Sequence, residues 1–212
     1  MNLAGTALSI LLLVSGPAWA SDDTPLDQAV IEGAAVSGAQ GRIAVNQAAG
    51  TGNAQANLGA LATSDGGLGL VGVHAAQKPG ATSPALRERD AAAHIQHGAF
   101  SGSQGVLSVN QIAGSGNAQA NLFMVGQGPQ GVVAAGAHGA TGITGIDDAA
   151  LADVAGDATT PEGAVAPSWR REAVIADDAF RGSQGVVQVN QTAGVGNSST
   201  NAIVLQLPGG TP

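Results

Sequence analysis

Cysteine and tyrosine are absent from this chain of 212 residues, which has only three phenylalanines and two tryptophans. Without cysteine the chain has neither a disulfide framework nor a thiol nucleophile. Large aromatic side chains ordinarily dominate a globular core, so their scarcity disfavours an ordinary compact domain. The 33 glycines favour instead a repetitive architecture built from small residues.

Positive charge is also scarce. Seven Lys and Arg residues stand against 15 Asp and Glu, which gives a net charge of −8. Nucleic acids and anionic membrane surfaces are bound through Lys and Arg, so we expect no nucleic-acid partner. Charged residues make up only 10% of the chain, which also separates it from an acidic disordered chain.

The N-terminus has the layout of a secretory signal peptide. An apolar run ends at Ser15 and is followed by Gly16-Pro17 and by an Ala-x-Ala site at 18–20. The run is too short to span a bilayer. We therefore predict cleavage after Ala20, a secreted protein and no membrane span in the mature chain.

The rest of the chain repeats one segment three times without gaps. Repeat 1 spans 29–61, repeat 2 spans 93–125 and repeat 3 spans 173–205. Around them lie a signal peptide at 1–20, an N-terminal segment at 21–28, linker 1 at 62–92, linker 2 at 126–172 and a C-terminal tail at 206–212. Fixed units with variable insertions are typical of repeat architectures. The linkers are rich in Gly, Pro and charge, so we expect them to be irregular, with a short helix as one alternative over 84–96.

Within each repeat, apolar residues alternate as they do in strands. In repeat 1, Ile43, Val45 and Gln47 fall on one face. An Ala-Gly-x-Gly sequence follows, and its two glycines supply the positive φ angles of a sharp turn. These turn glycines are Gly50, Gly52, Gly114, Gly116, Gly194 and Gly196. A second alternating stretch comes next, so we predict an all-β fold of three stacked strand–turn–strand (β-arch) repeats that form a small β-solenoid.

Asparagine and glutamine recur at fixed positions of the three repeats. The recurring amides are Asn46, Asn110 and Asn190; Gln47, Gln111 and Gln191; Asn53, Asn117 and Asn197; and Asn57, Asn121 and Asn201. With strands stacked about 4.8 Å apart, identical amides bond to the copies above and below as self-assembly ladders. A charge would meet its own sign, and no Asp, Glu, Lys or Arg occurs within 43–57, 107–121 or 187–201. The alternative is that Asn and Gly mark surface turns of an ordinary all-β domain.

No catalytic, cofactor or metal site is predicted. Gly67–Gly72 fits G-x-G-x-x-G, but the sequence after it does not favour the required helix. His94 and His97 have no carboxylate or cysteine arranged with them. The acidic residues from Asp147 onward lack the ligand spacing of an EF-hand. We therefore expect a protein that is not an enzyme.

The unit GxxxVNQxAGxGNxQxN, present three times with Ser199 in place of the last Gln in repeat 3 and split by long linkers, resembles the Fap-type functional amyloid proteins and related secreted adhesin-like repeat proteins of Gram-negative bacteria. The resemblance implies β-arch repeats stacked into extracellular fibres of the biofilm matrix. It also implies passage through the periplasm, an outer-membrane export machinery, and partners that are further copies of the chain or homologous amyloid subunits.

The role within such a fibre is left open by the sequence. Some family members end in Cys-x-Cys, whereas this chain ends in LPGGTP. The expected role is therefore a fibre subunit or a minor, nucleating component. Two alternatives are a monomeric β-solenoid adhesin that holds polysaccharide or a cell surface, and an accessory protein or chaperone of a fibre system.

Overall fold

The computed structural model describes residues 26–64, 69–77, 88–128, 132–141 and 169–208, so the predicted signal peptide and its cleavage site at Ala20 lie outside the described residues. All regular elements in these ranges are strands. They are β1 (Leu26–Ile31), β2 (Gln40–Ala49), β3 (Ala54–Thr63), β4 (Gly69–Gln77), β5 (Asp90–Ile95), β6 (Gln104–Ser115), β7 (Ala118–Gly128), β8 (Val132–Thr141), β9 (Arg171–Ile175), β10 (Gln184–Val195) and β11 (Ser198–Pro208). No helix that could cross a membrane occurs in this described part of the chain.

The strands stack in chain order as parallel sheets. Layer 1 consists of β1 to β4, layer 2 of β5 to β8 and layer 3 of β9 to β11. The sheets are β1-β5-β9, β2-β6-β10, β3-β7-β11 and β4-β8, with layer 2 in the middle of each three-stranded sheet. Equal repeat positions pair throughout, for example Val45 with Val109 and Val109 with Val189. The predicted all-β stack of strand–turn–strand repeats is therefore confirmed.

The linkers contain more regular structure than the sequence indicated. β4 lies in linker 1 and β8 in linker 2, and the two pair in parallel with one irregularity between Val71 and Val73. The short helix considered over 84–96 is wrong for Asp90–Ile95, which forms β5 between β1 and β9. Its alanines favour a helix in isolation, but pairing with a strand on each side overrides that weak preference.

The core is thin and lies between neighbouring sheets. One cluster is formed by Ile31, Ile95, Ala99, Phe100, Leu107, Val109 and Ala179, and a second by Ala29, Ala91, Ala93 and Ala113. The rings of Phe100 and Phe180 stack with centroids 5.1 Å apart. Small residues suffice because β5, β6 and β7 of layer 2 each have a strand of layer 1 on one side and a strand of layer 3 on the other.

Burial is greatest in the middle layer and lower at the ends. In the column of equivalent isoleucines, Ile95 of layer 2 is 0% exposed, Ile31 of layer 1 is 7% exposed and Ile175 of layer 3 is 45% exposed. Layer 3 carries further exposed apolar side chains, which are Val174, Val187, Val204, Leu205 and Leu207. The layer 3 end of the stack is therefore an uncovered apolar surface.

Candidate functional site

The first amide column runs along the middle of the sheet β2-β6-β10. Nδ2 of Asn110 donates to Oδ1 of Asn46 at 3.0 Å, and Nδ2 of Asn190 donates to Oδ1 of Asn110 at 3.0 Å. Asn110 also donates to the backbone oxygen of Ala56 at 2.9 Å, on the other strand of the arch. The column thus joins successive layers and also the two strands of each arch.

A second asparagine column faces the first across the arch. Asn121 donates to Asn57 at 3.0 Å, and Asn201 donates to Asn121 at 3.0 Å. Cross-links join the two columns within each layer, at 2.8 Å in layer 1 and 3.0 Å in layers 2 and 3. Because every amide bonds both along and across the arch, the two columns form one continuous network.

The glutamine column ties the sheet of β2 to the sheet of β1. Nε2 of Gln111 donates to Oε1 of Gln47 at 2.8 Å, and Nε2 of Gln191 donates to Oε1 of Gln111 at 2.9 Å. The same nitrogen of Gln111 reaches the backbone oxygens of His94 at 2.9 Å and Ala29 at 3.1 Å. Each glutamine therefore fixes a position both within its own sheet and against the facing one.

The fourth amide column consists of Asn53, Asn117 and Asn197 and lies at the turns between the two strands of each arch. Both the backbone N and Nδ2 of Asn117 donate to Oδ1 of Asn53, at 3.0 and 3.1 Å. Asn197 repeats both bonds to Asn117 at 2.9 Å. Nδ2 of Asn53 in addition donates to the backbone oxygen of Gly114 at 2.7 Å. An asparagine here satisfies turn groups in its own layer and in the next.

The middle-layer amides are fully buried. Asn110, Gln111, Asn117 and Asn121 are each 0% exposed. A buried amide without partners is costly, whereas a satisfied network is rigid and specific. Neutral amides supply donors and acceptors at every layer without like-charge repulsion, which accounts for the absence of ionic residues along the columns.

Further polar residues contribute, and repetition reveals only some of them. Gln119 is buried and donates to the backbone oxygen of Gln111 at 3.2 Å, and Gln55 makes the equivalent bond in layer 1 at 2.9 Å. Glutamine recurs at this position in repeats 1 and 2, and that recurrence is the sequence signal for Gln119 and Gln55. Gln188 is buried and donates to Leu122 at 3.1 Å, but its column holds no second amide, so no repeat signal marks it.

The turn glycines all have positive φ angles. The values are +102° at Gly50, +113° at Gly114 and +134° at Gly194, with +67° at Gly52, +66° at Gly116 and +71° at Gly196. Space excludes a side chain at two of them as well. A Cβ on Gly50 would lie 2.0 Å from the backbone oxygen of Gly114, and one on Gly114 would lie 1.9 Å from that of Gly194.

Charged residues lie outside the amide columns. Arg42 in β2 is exposed and donates to the backbone oxygen of Asn57 at 3.1 Å. Arg89 forms a bidentate pair with Asp27, at 2.7 and 3.1 Å, and Asp27 is 5% exposed. The hydrogen bond to Asp27 raises the pKa of Arg89, while burial opposes that change. Glu32 on the exposed turn after β1 lies 3.5 Å from His97 on the equivalent turn after β5.

The other motifs considered from sequence form no cofactor or metal site where the structure describes them. Gly69 to Gly72 of the G-x-G-x-x-G motif lie inside β4, and the motif begins outside the described residues. The acidic stretch from Asp147 to Asp157 lies outside them as well. Within the ranges that the structure covers, no cluster of three or more His, Asp or Glu residues is suited to a metal.

No solved structure matches the chain. The sequence model of the functional amyloid protein FapB/FapC family matches residues 17–208, a range that includes all three repeats and both linkers. The chain therefore belongs to the functional amyloid protein FapB/FapC family.

Proposed function

We propose that this protein self-assembles into extracellular functional amyloid fibres of a biofilm matrix, as a subunit or as a minor, nucleating component. One observation carries the proposal. Four amide columns run in register through all three layers and reach both outer layers, where they end on residues with the same chemistry as the interior. A second copy placed on either end layer meets the same kind of surface that the layers of one molecule present to each other.

Apolar side chains are less buried in the end layers than in the middle layer. Val109 of layer 2 is fully buried, whereas Val187 and Ile175 of layer 3 are more than a third exposed. Stable solenoids cover their ends with caps that have a polar outer face. Layer 3 presents apolar residues instead, and burial of apolar surface yields about 25 cal/mol per Å². Stacking of copies would cover this surface.

The site residues have a structural role in this proposal. The amides of the four columns and the glycines of the turns hold strands in register and transfer that register to the next copy. Their groups are neutral amides and backbone atoms, which provide no acid, base or nucleophile, so we propose a structural protein rather than an enzyme. Membership of a functional amyloid family and the signal-peptide layout support secretion, with homologous subunits and an outer-membrane export machinery as partners.

The test is assembly of the chain without its first 20 residues. We expect purified protein to form fibres with a meridional reflection near 4.8 Å, after a lag that preformed fibres abolish. Protein that stays monomeric at high concentration in size-exclusion chromatography, and that neither seeds nor is seeded by a homologous amyloid, would contradict the proposal. Monomers that bind polysaccharide would support an adhesin, and substoichiometric slowing of a partner's assembly would support an accessory role.

A further inference from the structure

We infer that copies join in one orientation only, with layer 1 of one copy seated on layer 3 of the next. The inference rests on the proposed self-assembly and specifies the partner surface, which is the opposite end of a second copy of this chain. Like ends do not fit each other because the two end faces differ in hydrogen-bonding polarity and in shape.

The amide columns all have the same polarity. In each of the four columns the layer 2 amide nitrogen donates to the layer 1 oxygen, and the layer 3 nitrogen donates to the layer 2 oxygen. The layer 3 face therefore presents acceptor oxygens outward. At the layer 1 face the amide nitrogens of Asn46, Gln47 and Asn57 have no acceptor in a preceding layer, and Gln47 and Asn57 donate within layer 1 instead. Nδ2 of Asn53 is directed at Gly114 of layer 2. Pairing of two layer 3 faces would oppose acceptor to acceptor, whereas layer 1 on layer 3 continues every column.

Backbone acceptors continue the same pattern. Gln111 donates to Ala29 of the preceding layer at 3.1 Å, and Gln191 donates to Ala93 at 2.9 Å. Gln47 donates within its own layer to Val30 at 2.8 Å. Ala29, Ala93 and Ala173 form one column of the sheet β1-β5-β9. If layer 3 of a second copy precedes layer 1, the backbone oxygen of its Ala173 is the acceptor for Gln47.

The asparagine columns give an independent instance. Asn110 donates to the backbone oxygen of Ala56 in layer 1, and Asn190 donates to that of Ala120 in layer 2 at 3.0 Å. The register Ala56–Ala120–Thr200 assigns the carbonyl of Thr200 in a second copy to Asn46. Both assignments require layer 3 of that copy to lie against layer 1.

The sheets are staggered, so the two ends also differ in shape. β1 packs against both β2 and β6, β5 packs against β6 and β10, and β9 packs against β10. β3, β7 and β11 follow the same order on the other side of the central sheet. At the layer 1 end β2 consequently projects past its flanking strands, and at the layer 3 end β9 and β11 project past β10.

The recess over β10 suits the projecting strand of a second copy. A groove of about 310 Å³ lies beside β10 and β11 and is lined by Val187, Gln188, Val189, Asn201, Ala202 and Ile203. In register, the strand that follows β10 is β2, which places Ile43 over Val187 and the small residue Ala44 over Gln188. The projecting strand and the recess fit as neighbouring layers of the same columns.

Charge adds little to this choice of orientation. Asp27, Ala91 and Arg171 occupy one column of the sheet β1-β5-β9, so stacking of unlike ends brings Arg171 into the column of Asp27 of the next copy. Asp27 is 5% exposed and already paired with Arg89, so its carboxylate is largely compensated within its own molecule.

Two glycines allow each end to be blocked separately. A Cβ on Gly105 would lie 2.2 Å from the backbone oxygen of Gly41, and one on Gly185 would lie 2.1 Å from that of Gly105. A Cβ on Gly41 itself has nothing within 4 Å in the single molecule, but would meet Gly185 of a second copy. At the other end, a Cβ on Gly194 would lie 3.1 Å from the flexible side chain of Arg171 and 3.4 Å from Nδ2 of Asn197. It would meet the layer 1 face of a second copy.

Two further variants control for an added methyl group at the ends. Gly38 in layer 1 and Gly182 in layer 3 have φ angles of +67° and +70°, and a Cβ on either comes no nearer than 4.0 Å to another layer, so alanine there leaves the end faces open. Gly41 and Gly194 have φ angles of +96° and +134°, outside the left-handed helical region, so alanine is more strained at both. The unblocked end controls for that strain, because a variant that strain had unfolded would stop growth at neither end.

The experiment follows both ends of labelled wild-type seeds by fluorescence microscopy while wild-type monomer is added with an excess of one variant. We expect Gly41→Ala to stop growth at one end and Gly194→Ala to stop it at the other. Together they should stop both, while Gly38→Ala and Gly182→Ala extend both ends. Circular dichroism of each monomer verifies that the variants share the wild-type fold.

The outcomes distinguish this inference from the proposed function. Absence of wild-type fibres overturns self-assembly and the orientation with it. Fibres that grow normally, but that a single blocked variant stops at both ends or at neither, overturn the orientation and leave self-assembly in place. A stable homodimer of either blocked variant in analytical ultracentrifugation also overturns it, because that complex requires like faces to pair.

Discussion

Asn110 donates a hydrogen bond of 3.0 Å to Asn46, a residue 64 positions earlier in the chain. Asn190 repeats that bond to Asn110 across 80 positions. The unequal spacing of the repeats thus has no effect on the register. Closing a flexible loop of n residues costs about (3/2)RT ln n in free energy, so closing linker 2 costs only roughly 0.4 kcal/mol more than closing the shorter linker 1.

Replacement of Asn110 by aspartate should destabilise the molecule at neutral pH. Its nitrogen donates to Asn46, Ala56 and Asn57, and Asn110→Asp would set a buried carboxylate oxygen against these three acceptors. An uncompensated buried charge costs about 3 kcal/mol or more, which we expect in urea unfolding at pH 7. The double variant with Gln111→Glu should lose more stability and should not assemble.

The pH dependence and a control complete this test. Burial raises the pKa of the introduced carboxyl in the folded state above its unfolded value. The folded state then binds the proton more tightly, so stability should return as the pH falls through the raised pKa. Asn46→Asp, on the exposed layer 1 face, should change the free energy of unfolding by less than about 0.5 kcal/mol. Equal losses for the two variants would contradict the network.

The stacking of the repeats could be predicted because the recurring residues determine the register of the strands. Val45, Asn46 and Gln47 recur with their spacing intact, so parallel in-register stacking was the arrangement that places like on like. β4 and β8 were not predicted, although Gly-x-His-x-Ala occurs in both, at 72–76 and at 136–140, with the same offset of 64 residues as repeats 1 and 2. The structure pairs His74 with His138, but three shared residues in a Gly- and Ala-rich stretch give no alternating apolar pattern that would indicate a strand. β5 has alanines that favour a helix alone, and only its neighbours make it a strand.

The stagger of the sheets was also beyond sequence reasoning. Alternation within a strand tells which face a residue occupies, but not whether the facing sheet is level or displaced by part of a layer. That displacement appears only in contacts such as Gln111 with both Ala29 and His94. Polarity of the columns was hidden for the same reason, because an amide is a donor and an acceptor alike until the direction of its bond is known.

Alanine at Gly114 should be far more damaging to the monomer than alanine at Gly41. The two glycines have similar φ angles, +113° and +96°, so both substitutions carry backbone strain. A Cβ on Gly41 has nothing within 4 Å, whereas one on Gly114 would overlap the backbone oxygen of Gly194 at 1.9 Å. Thermal unfolding should show a smaller loss for Gly41→Ala and loss of the cooperative transition for Gly114→Ala. Similar losses would show that close layer contact at the turn is unimportant.

Truncation of Phe100 should cost about 3–5 kcal/mol of unfolding free energy. Its side chain is fully buried in the main core cluster and stacks on Phe180. Phe180 lies in an end layer and is half-buried, so Phe180→Ala should cost clearly less in the monomer. Urea denaturation of both variants measures the difference. If the two losses are equal, the middle layer does not have the greater packing that its burial indicates.

Reversal of charge at Arg171 should slow fibre elongation. In the orientation inferred above, Arg171 lies in the same column as Asp27 of the next copy, and Arg171→Glu places a second carboxylate in that column. Cross-strand pairs are worth roughly 0.2–1 kcal/mol each, and Arg89 already compensates Asp27, so we expect elongation from wild-type seeds to be only about 2-fold slower at low salt. The difference should shrink at 1 M salt, where the Debye length is about 3 Å.

Arg181→Glu is the matched control for this charge reversal. It changes the net charge equally and also lies in layer 3, but Arg181 is equivalent to Ser37 and Ser101 in the repeats, so it would stack near a neutral serine of the next copy. Its elongation rate should stay close to that of the wild type at low salt. If both variants slow growth to the same extent, net charge alone determines the rate. A selective effect at Arg171 means that opposite charges of successive copies meet in that column.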